Sequence, residues 1–151
     1  MKLSVRTEYA LRALMTLAEA PEHTLLRIQA IAEQQRIPKR FLEQILNDLR
    51  SAGFVESRRG VSGGYRLARP ANSISVRDVV EHFEPLSLAG ATAVGSTPPA
   101  PDAPEEAVLR SVWAQAQAAM LASLEKWSLA NLCEQARELR RLRGDPMDFV
   151  I

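Results

Sequence analysis

The sequence of 151 residues contains one cysteine, few aromatic residues and no long hydrophobic run. A single thiol, Cys133, cannot form a disulfide framework within one chain or an all-cysteine metal site. The apolar runs are a few residues long, whereas a membrane-spanning helix needs about 20, and no secretory hydrophobic region follows Met1. We therefore expect a soluble, cytoplasmic protein without a membrane partner.

Metal-binding and catalytic groups are also scarce. His23 and His82 are the only histidines, and neither stands at helical spacing from another strong metal ligand. No nucleophile, general base and orienting group occur together in a motif. The sequence therefore predicts a protein that is not an enzyme and that has no metal or other cofactor.

The apolar fraction of 46% suffices for one packed domain, but the charge is unevenly distributed. Residues 1–70 contain 12 Lys and Arg against 7 Asp and Glu, a net charge of +5. Residues 71–151 contain 7 against 11, a net charge of −4, which together give the overall +1. A basic first half and an acidic second half suggest that one end of the chain meets a polyanion.

Hydrophobic periodicity predicts a mainly α-helical fold with a small β-hairpin. The first part of the chain has four predicted helices and two predicted strands, at residues 3–19, 28–35, 38–51 and 75–83 and at residues 54–58 and 65–68. The third helix has an apolar stripe, which comprises Phe41, Leu42, Ile45, Leu46 and Leu49. Its opposite face is polar and carries Lys39, Arg40, Glu43, Gln44, Asn47 and Asp48.

The remainder of the chain has a different organisation. Residues 85–104 are rich in Pro, Ala, Gly, Ser and Thr, which predicts a flexible loop. A long helix is predicted over 105–126, and Ser128 is predicted to cap a last helix. The long helix has a narrow apolar seam that suits packing against another helix, such as that of a partner chain: Leu109, Trp113, Ala116, Met120, Leu124 and Trp127.

Two short helices, a tight turn, a polar-faced helix and a glycine-tipped hairpin together describe a winged helix-turn-helix. The major groove of DNA admits one α-helix, whose exposed face offers donors and acceptors to base edges. Five residues of the third helix provide that set: Lys39, Arg40, Glu43, Gln44 and Asn47. Arg58 and Arg59, at the mouth of the hairpin, are suited to phosphates or an adjacent minor groove.

The polar face and the winged helix each allow a second interpretation. The polar face of the third helix could be an ordinary solvated surface. A winged helix can also serve as a protein-interaction module that regulates an enzyme by docking, since a fold does not fix a function. The basic first half and the two adjacent arginines favour double-stranded DNA.

Three segments resemble the IscR-type family of bacterial winged-helix regulators, which includes an iron–sulfur cluster regulator, a nitric-oxide-sensing repressor and a cysteine-metabolism repressor. These segments are residues 3–14, residues 41–46 with the sequence FLEQIL, and residues 59–65 with the sequence RGVSGGY. The resemblance implies a homodimer that crosses through the long helix and binds a roughly palindromic operator. It also implies that Arg59 reaches the minor groove, and it adds Phe41 and Ser62 to the candidate DNA-binding residues.

The sequence departs from the family at the cluster ligands. Cluster-binding members have three cysteines in the loop before the long helix, spaced five residues apart. Counted back from Trp113, the corresponding positions here are Gly95, Pro101 and Ala107, with Arg110 where a histidine can stand. None of these side chains ligates iron. Glu8 occupies the place of an acidic ligand in some relatives, but a salt bridge is the simpler role. We therefore expect a regulator without a cluster.

The domain prediction is a winged helix-turn-helix at residues 1–84, a flexible loop at 85–104, and a long dimerisation helix with a C-terminal helix at 105–151. The function expected is that of a sequence-specific transcription regulator, a repressor, that responds to a signal other than a cluster. The candidate signals are a small-molecule effector, a protein partner or the thiol of Cys133, for which core packing is the simpler role.

Overall fold

The computed structural model describes residues 3–84 and 103–144. These ranges contain six α-helices, one two-stranded antiparallel sheet and one short 3-10 helix. In chain order the elements are α1 Val5–Glu19, α2 Ile28–Gln35, α3 Lys39–Ser51, β1 Val55–Arg58, β2 Gly64–Leu67, the 3-10 helix Ala71–Ser73, α4 Val76–Phe83, α5 Pro104–Glu125 and α6 Leu129–Arg143. The expected mainly α-helical fold with one hairpin is confirmed.

Helices α1, α2 and α3 enclose the first part of the core. The side chains of Leu14, Ile31, Leu42, Leu46 and Leu49 are fully buried where these helices meet. This arrangement follows from the helical spacing of the apolar residues, which places them on one face of each helix. Phe41 is an exception to the predicted stripe, since 49% of it is exposed and it lies at the edge of α3 rather than in the core.

The hairpin is short and ends in a tight turn. Val55 pairs with Leu67 and Arg58 pairs with Gly64, so that residues 59–63 form the tip. Gly60 has a φ of +104°, and a Cβ atom at Gly63 would lie 2.2 Å from the carbonyl oxygen of Arg58. The glycine-rich sequence is therefore a requirement of this turn, since larger residues would be strained or would clash.

Helix α4 joins the N-terminal unit to the long helix. It begins with a capping box between Ser75 and Asp78 and packs against both α1 and α5. Glu84, just beyond its end, accepts hydrogen bonds from the amide of Ser4, at 2.7 Å, and from the hydroxyl of buried Thr7, at 3.1 Å. Partial burial by itself raises the pKa of Glu84, but these hydrogen bonds outweigh it and keep the pKa below its ordinary value.

The turn between α5 and α6 is attached to the start of α4 through the backbone. The amide of Val76 donates to the carbonyl of Trp127 at 2.8 Å, and the amide of Leu129 donates to the carbonyl of Ile74 at 2.9 Å. Ser128 caps α6 as predicted. Helix α6 then packs on α1, where Arg140 lies 2.9 Å from Glu19.

The two halves of α5 have different environments. Met120 and Leu124 pack on the core, but among the described residues none from the first half of the helix packs on it. Leu109 is 69% exposed and Trp113 is 67% exposed, and Ala116 is exposed as well. Within the described residues the predicted seam is therefore covered only at Met120 and Leu124, since Trp127 is also exposed. No helix in the described ranges is long and apolar enough to cross a membrane.

The predicted element bounds differ from the observed bounds by one or two residues. Helix α1 begins at Val5 rather than Leu3, and Pro38 precedes α3 as its N-cap instead of occupying the first helical position. Most of the predicted loop, at residues 85–102, lies outside the described residues, as do Gly95 and Pro101.

Candidate DNA-binding surface

Helix α3 presents a continuous polar face to solvent. Leu42, Ile45, Leu46 and Leu49 are buried on one side. The five residues predicted to reach base edges are all exposed, namely Lys39, Arg40, Glu43, Gln44 and Asn47. This face offers both donors and acceptors, which is the combination that base edges in a major groove require.

Phe41 lies on the α1 side of this face. With Val5, Arg6, Tyr9 and residues of α3 it lines a mainly apolar groove of about 370 Å³. The guanidinium group of Arg6 also forms an ion pair with Asp48, which ties α1 to α3 beside the groove. Because its carboxylate is paired with Arg6, Asp48 is not counted among the residues of α3 that are available to DNA.

The β1–β2 hairpin, residues 55–67, is the wing of this fold, and it places further cations next to α3. Arg58 ends β1, and Arg59 and Ser62 follow in the turn, all three exposed. The wing tip is held by Arg27, whose guanidinium group donates to the carbonyl of Val61. Sequence analysis did not identify Arg27, because it precedes α2 in the chain and reaches the wing only through the tertiary fold.

Some arginines of the described residues are paired with carboxylates, whereas several cations of this surface are not. Arg66 is paired with Glu56 on the neighbouring strand, and Arg77 lies 2.6 Å from Glu125. In the described part of the chain, four cations of the surface form no ion pair: Lys39, Arg40, Arg58 and Arg59. Their charge is thus available to an external polyanion.

The described residues do not fit an iron–sulfur cluster. Ala107 offers no donor atom, and Arg110 forms an ion pair with Glu106 at 2.7 Å. Glu8 lies 3.7 Å from Arg12, in keeping with a salt-bridge role. No group of three or more His, Cys, Asp or Glu side chains within residues 3–84 and 103–144 is placed to hold a metal ion. A cluster needs thiolate or imidazole donors, which these positions lack.

Cys133 is packed between α6 and α1. It is 2% exposed, and its sulfur lies 3.6 Å from the carbonyl oxygen of Met15. Burial, together with the charge of Glu19, raises the pKa of the thiol to about 11. Because the thiolate is the reactive form, this environment suppresses thiol chemistry.

Comparison with known proteins agrees with this geometry. Residues 3–135 match the family model Rrf2, described as an iron-dependent transcriptional regulator. The chain is 34% identical over 155 residues to slr0846 of Synechocystis sp., which is named as an HTH-type transcriptional regulator, and the alignment covers 100% of both chains. It is 38% identical over 133 residues to Rv1287 of Mycobacterium tuberculosis, which has the same kind of name, with 87% of this chain and 81% of the relative covered.

Solved structures show the same fold. T. potens IscR is 29% identical and superposes with a TM-score of 0.73 over 93% of this chain and 91% of its own. CymR, the global cysteine regulator of B. subtilis, is 24% identical with a TM-score of 0.71 over 89% and 98% of the two chains, and supports the fold alone. Both the resemblance and the winged helix-turn-helix are confirmed. The chain belongs to the Rrf2 family of DNA-binding, helix-turn-helix transcription regulators.

Proposed function

We propose that this protein is a homodimeric repressor that binds a roughly palindromic operator without an iron–sulfur cluster. The observation that carries the proposal is the exposed polar face of α3, which lies beside wing cations that have no carboxylate partner within the described residues. Residues at the start of α3 then read the major groove, and Arg59 enters the adjacent minor groove.

The exposed half of α5 supports the homodimer. Four large apolar residues there are more than half exposed: Val108, Leu109, Val112 and Trp113. They recur at helical spacing, so they form one face that a second copy of the same helix covers in an isologous contact. The two-fold symmetry of such a dimer is the reason for a palindromic operator, because each protomer presents one α3 to one half-site.

Repression follows from occupancy, because a dimer across a promoter blocks access to it. The signal is a small-molecule effector or a protein partner. A cluster is disfavoured by Ala107 and Arg110 at ligand positions, and a thiol signal is disfavoured by the burial of Cys133. In this proposal the protein acts by binding and does no chemistry of its own.

The test is an absorption spectrum of protein purified without oxygen, followed by a DNA-binding titration on the same sample. The DNA is the region upstream of the protein's own gene, with a random duplex as the reference. The proposal expects a colourless protein that binds the upstream DNA more tightly than the random DNA. Visible absorbance from iron and sulfide would refute the clusterless part. The absence of salt-dependent binding to either DNA would refute the regulator and favour a protein-docking role.

A further inference from the structure

A small cavity lined by three positively charged side chains lies between α2, α3 and the wing. Its volume is about 280 Å³, and three cations line it: Arg27 at the N-cap of α2, Lys39 at the start of α3, and Arg58 at the end of β1. The remaining lining residues carry no charge, namely Ile28, Gln29, Gly60, Gly63, Gly64 and Tyr65. Three separate elements therefore bring positive charge to one concave site that contains no carboxylate.

This concentration of charge is not compensated within the described part of the protein. No ion pair there involves Arg27, Lys39 or Arg58. The next strand differs in this respect, since Arg66 forms an ion pair with Glu56. Like charges around one cavity repel each other, so the arrangement is most favourable when an anion from outside occupies the cavity.

The backbone around the cavity is fixed in position. The bond from Arg27 to the carbonyl of Val61 holds the wing tip against the start of α2. Within the turn, the amide of Gly63 donates a hydrogen bond to the carbonyl of Gly60 at 3.0 Å. Lys39 belongs both to this cavity and to the polar face of α3, so an anion bound here is held next to the residues proposed to contact bases.

We propose that the cavity between α2, α3 and the wing binds one phosphate of the DNA backbone, so that it is a phosphate seat, and that Arg27 is a DNA-contacting residue. The proposal rests on the proposed DNA-binding function and adds to it the phosphate that sets the register of α3 along the groove. Phosphate contacts position a protein on the duplex, whereas base contacts specify sequence. In this proposal Lys39 contacts the DNA backbone instead of a base edge, so Arg27 and Lys39 affect binding to all sequences alike.

The first experiment is a salt titration of the full chain with a duplex of random sequence, in wild type, Arg27→Gln and Lys39→Gln. Each lost phosphate contact lowers the slope of log K against log salt by about 0.9, which corresponds to about an eightfold loss of affinity at ~0.1 M salt. Arg143→Gln is the matched control, since this exposed residue at the end of α6 undergoes the same change of charge. The control is expected to leave the slope unchanged.

A second measurement separates a phosphate contact from a purely structural role of Arg27 in holding the wing. Single phosphates of a duplex selected by the wild-type protein are replaced in turn by neutral methylphosphonate. At the phosphate that occupies the seat, the substitution weakens wild-type binding but has little further effect in Arg27→Gln. A role confined to the wing would lower affinity with an unchanged salt slope and additive effects at every phosphate.

The outcomes distinguish the seat from the function on which it rests. Shallower slopes in both variants, with non-additivity at one phosphate, support the seat. Unchanged slopes in variants of a protein that still binds DNA overturn the seat and leave the proposed function intact. Unchanged DNA binding, combined with stabilisation by inorganic phosphate that Arg27→Gln abolishes, assigns the cavity to a free anion and also overturns the proposal. A wild-type protein without salt-dependent binding overturns the proposed function itself.

Discussion

The exposed half of α5 makes a quantitative prediction about the dimer, which Leu109→Ala tests. Leu109 is 69% exposed in the single chain, so about two thirds of its side chain remains to be buried by a partner. Full burial of a leucine contributes about 1.5–3 kcal/mol, and partial burial here gives roughly 1.5 kcal/mol for each copy. An isologous interface contains the residue twice. The substitution is therefore expected to weaken the dimer by about 3 kcal/mol, which is roughly a hundredfold in Kd.

The measurement is sedimentation velocity over a dilution series. Leu142→Ala is the matched control, because Leu142 is 72% exposed and the same atoms are removed from a different helix. We expect Leu109→Ala to dissociate at concentrations where wild type and Leu142→Ala remain dimeric. If Leu109→Ala dissociates no more readily than Leu142→Ala, or if wild type is monomeric throughout, the first half of α5 is not the dimer interface and the reasoning fails.

Three further predictions concern DNA recognition, pH dependence and the thiol. In competition titrations, Gln44→Ala should reduce discrimination between a selected operator and random DNA by about 1–3 kcal/mol. Arg58→Ala should instead weaken binding to the operator and to random DNA equally. Equal effects of the two variants would contradict these roles. Hydrogen bonds from Ser4 and Thr7 lower the folded-state pKa of Glu84. The ionised carboxylate therefore stabilises the fold above the unfolded-state pKa, and this stabilisation disappears as the pH falls through the folded-state pKa. Glu84→Gln should therefore lower the free energy of unfolding by about 1 kcal/mol at neutral pH and converge with wild type in acid, and a constant difference across the pH range in thermal unfolding would exclude this account. Since the pKa of buried Cys133 is raised to about 11, a thiol reagent at neutral pH should label it only after denaturation, and rapid labelling of the native protein would show that the site opens.

The sequence was sufficient for those features that depend on local patterns. Helical spacing predicted α4 to within one residue, and the cap at Ser128 predicted the start of α6, because a cap is a contact between neighbouring residues. The exposed face of α3 was predictable for the same reason, since helical geometry alone places Leu42 and Gln44 on different sides.

Features that depend on distant contacts were missed or misplaced. Phe41 has the spacing of a core residue, but it is half exposed and lines the groove with Tyr9. Arg27 had no local signal, since its contact with Val61 joins residues 34 positions apart. The carboxylate of Glu84 reaches Ser4 across 80 positions. No periodicity or motif within a short window contains these contacts.

Backbone hydrogen bonds from the α5–α6 turn to the start of α4 hold the C-terminal end of α5 on the DNA-binding unit. A helix of 22 residues is about 33 Å long, so a rotation of about 5° at the attachment moves its far end by roughly 3 Å. Conversely, a displacement applied at the far end turns the DNA-binding unit through only a small angle. In the proposed homodimer, two such units must remain about 34 Å apart, one turn of duplex, to occupy successive grooves. This geometry favours tolerance of small movements at the far end of α5, and only a displacement of several ångströms there would take the two α3 helices of the proposed dimer out of register with DNA.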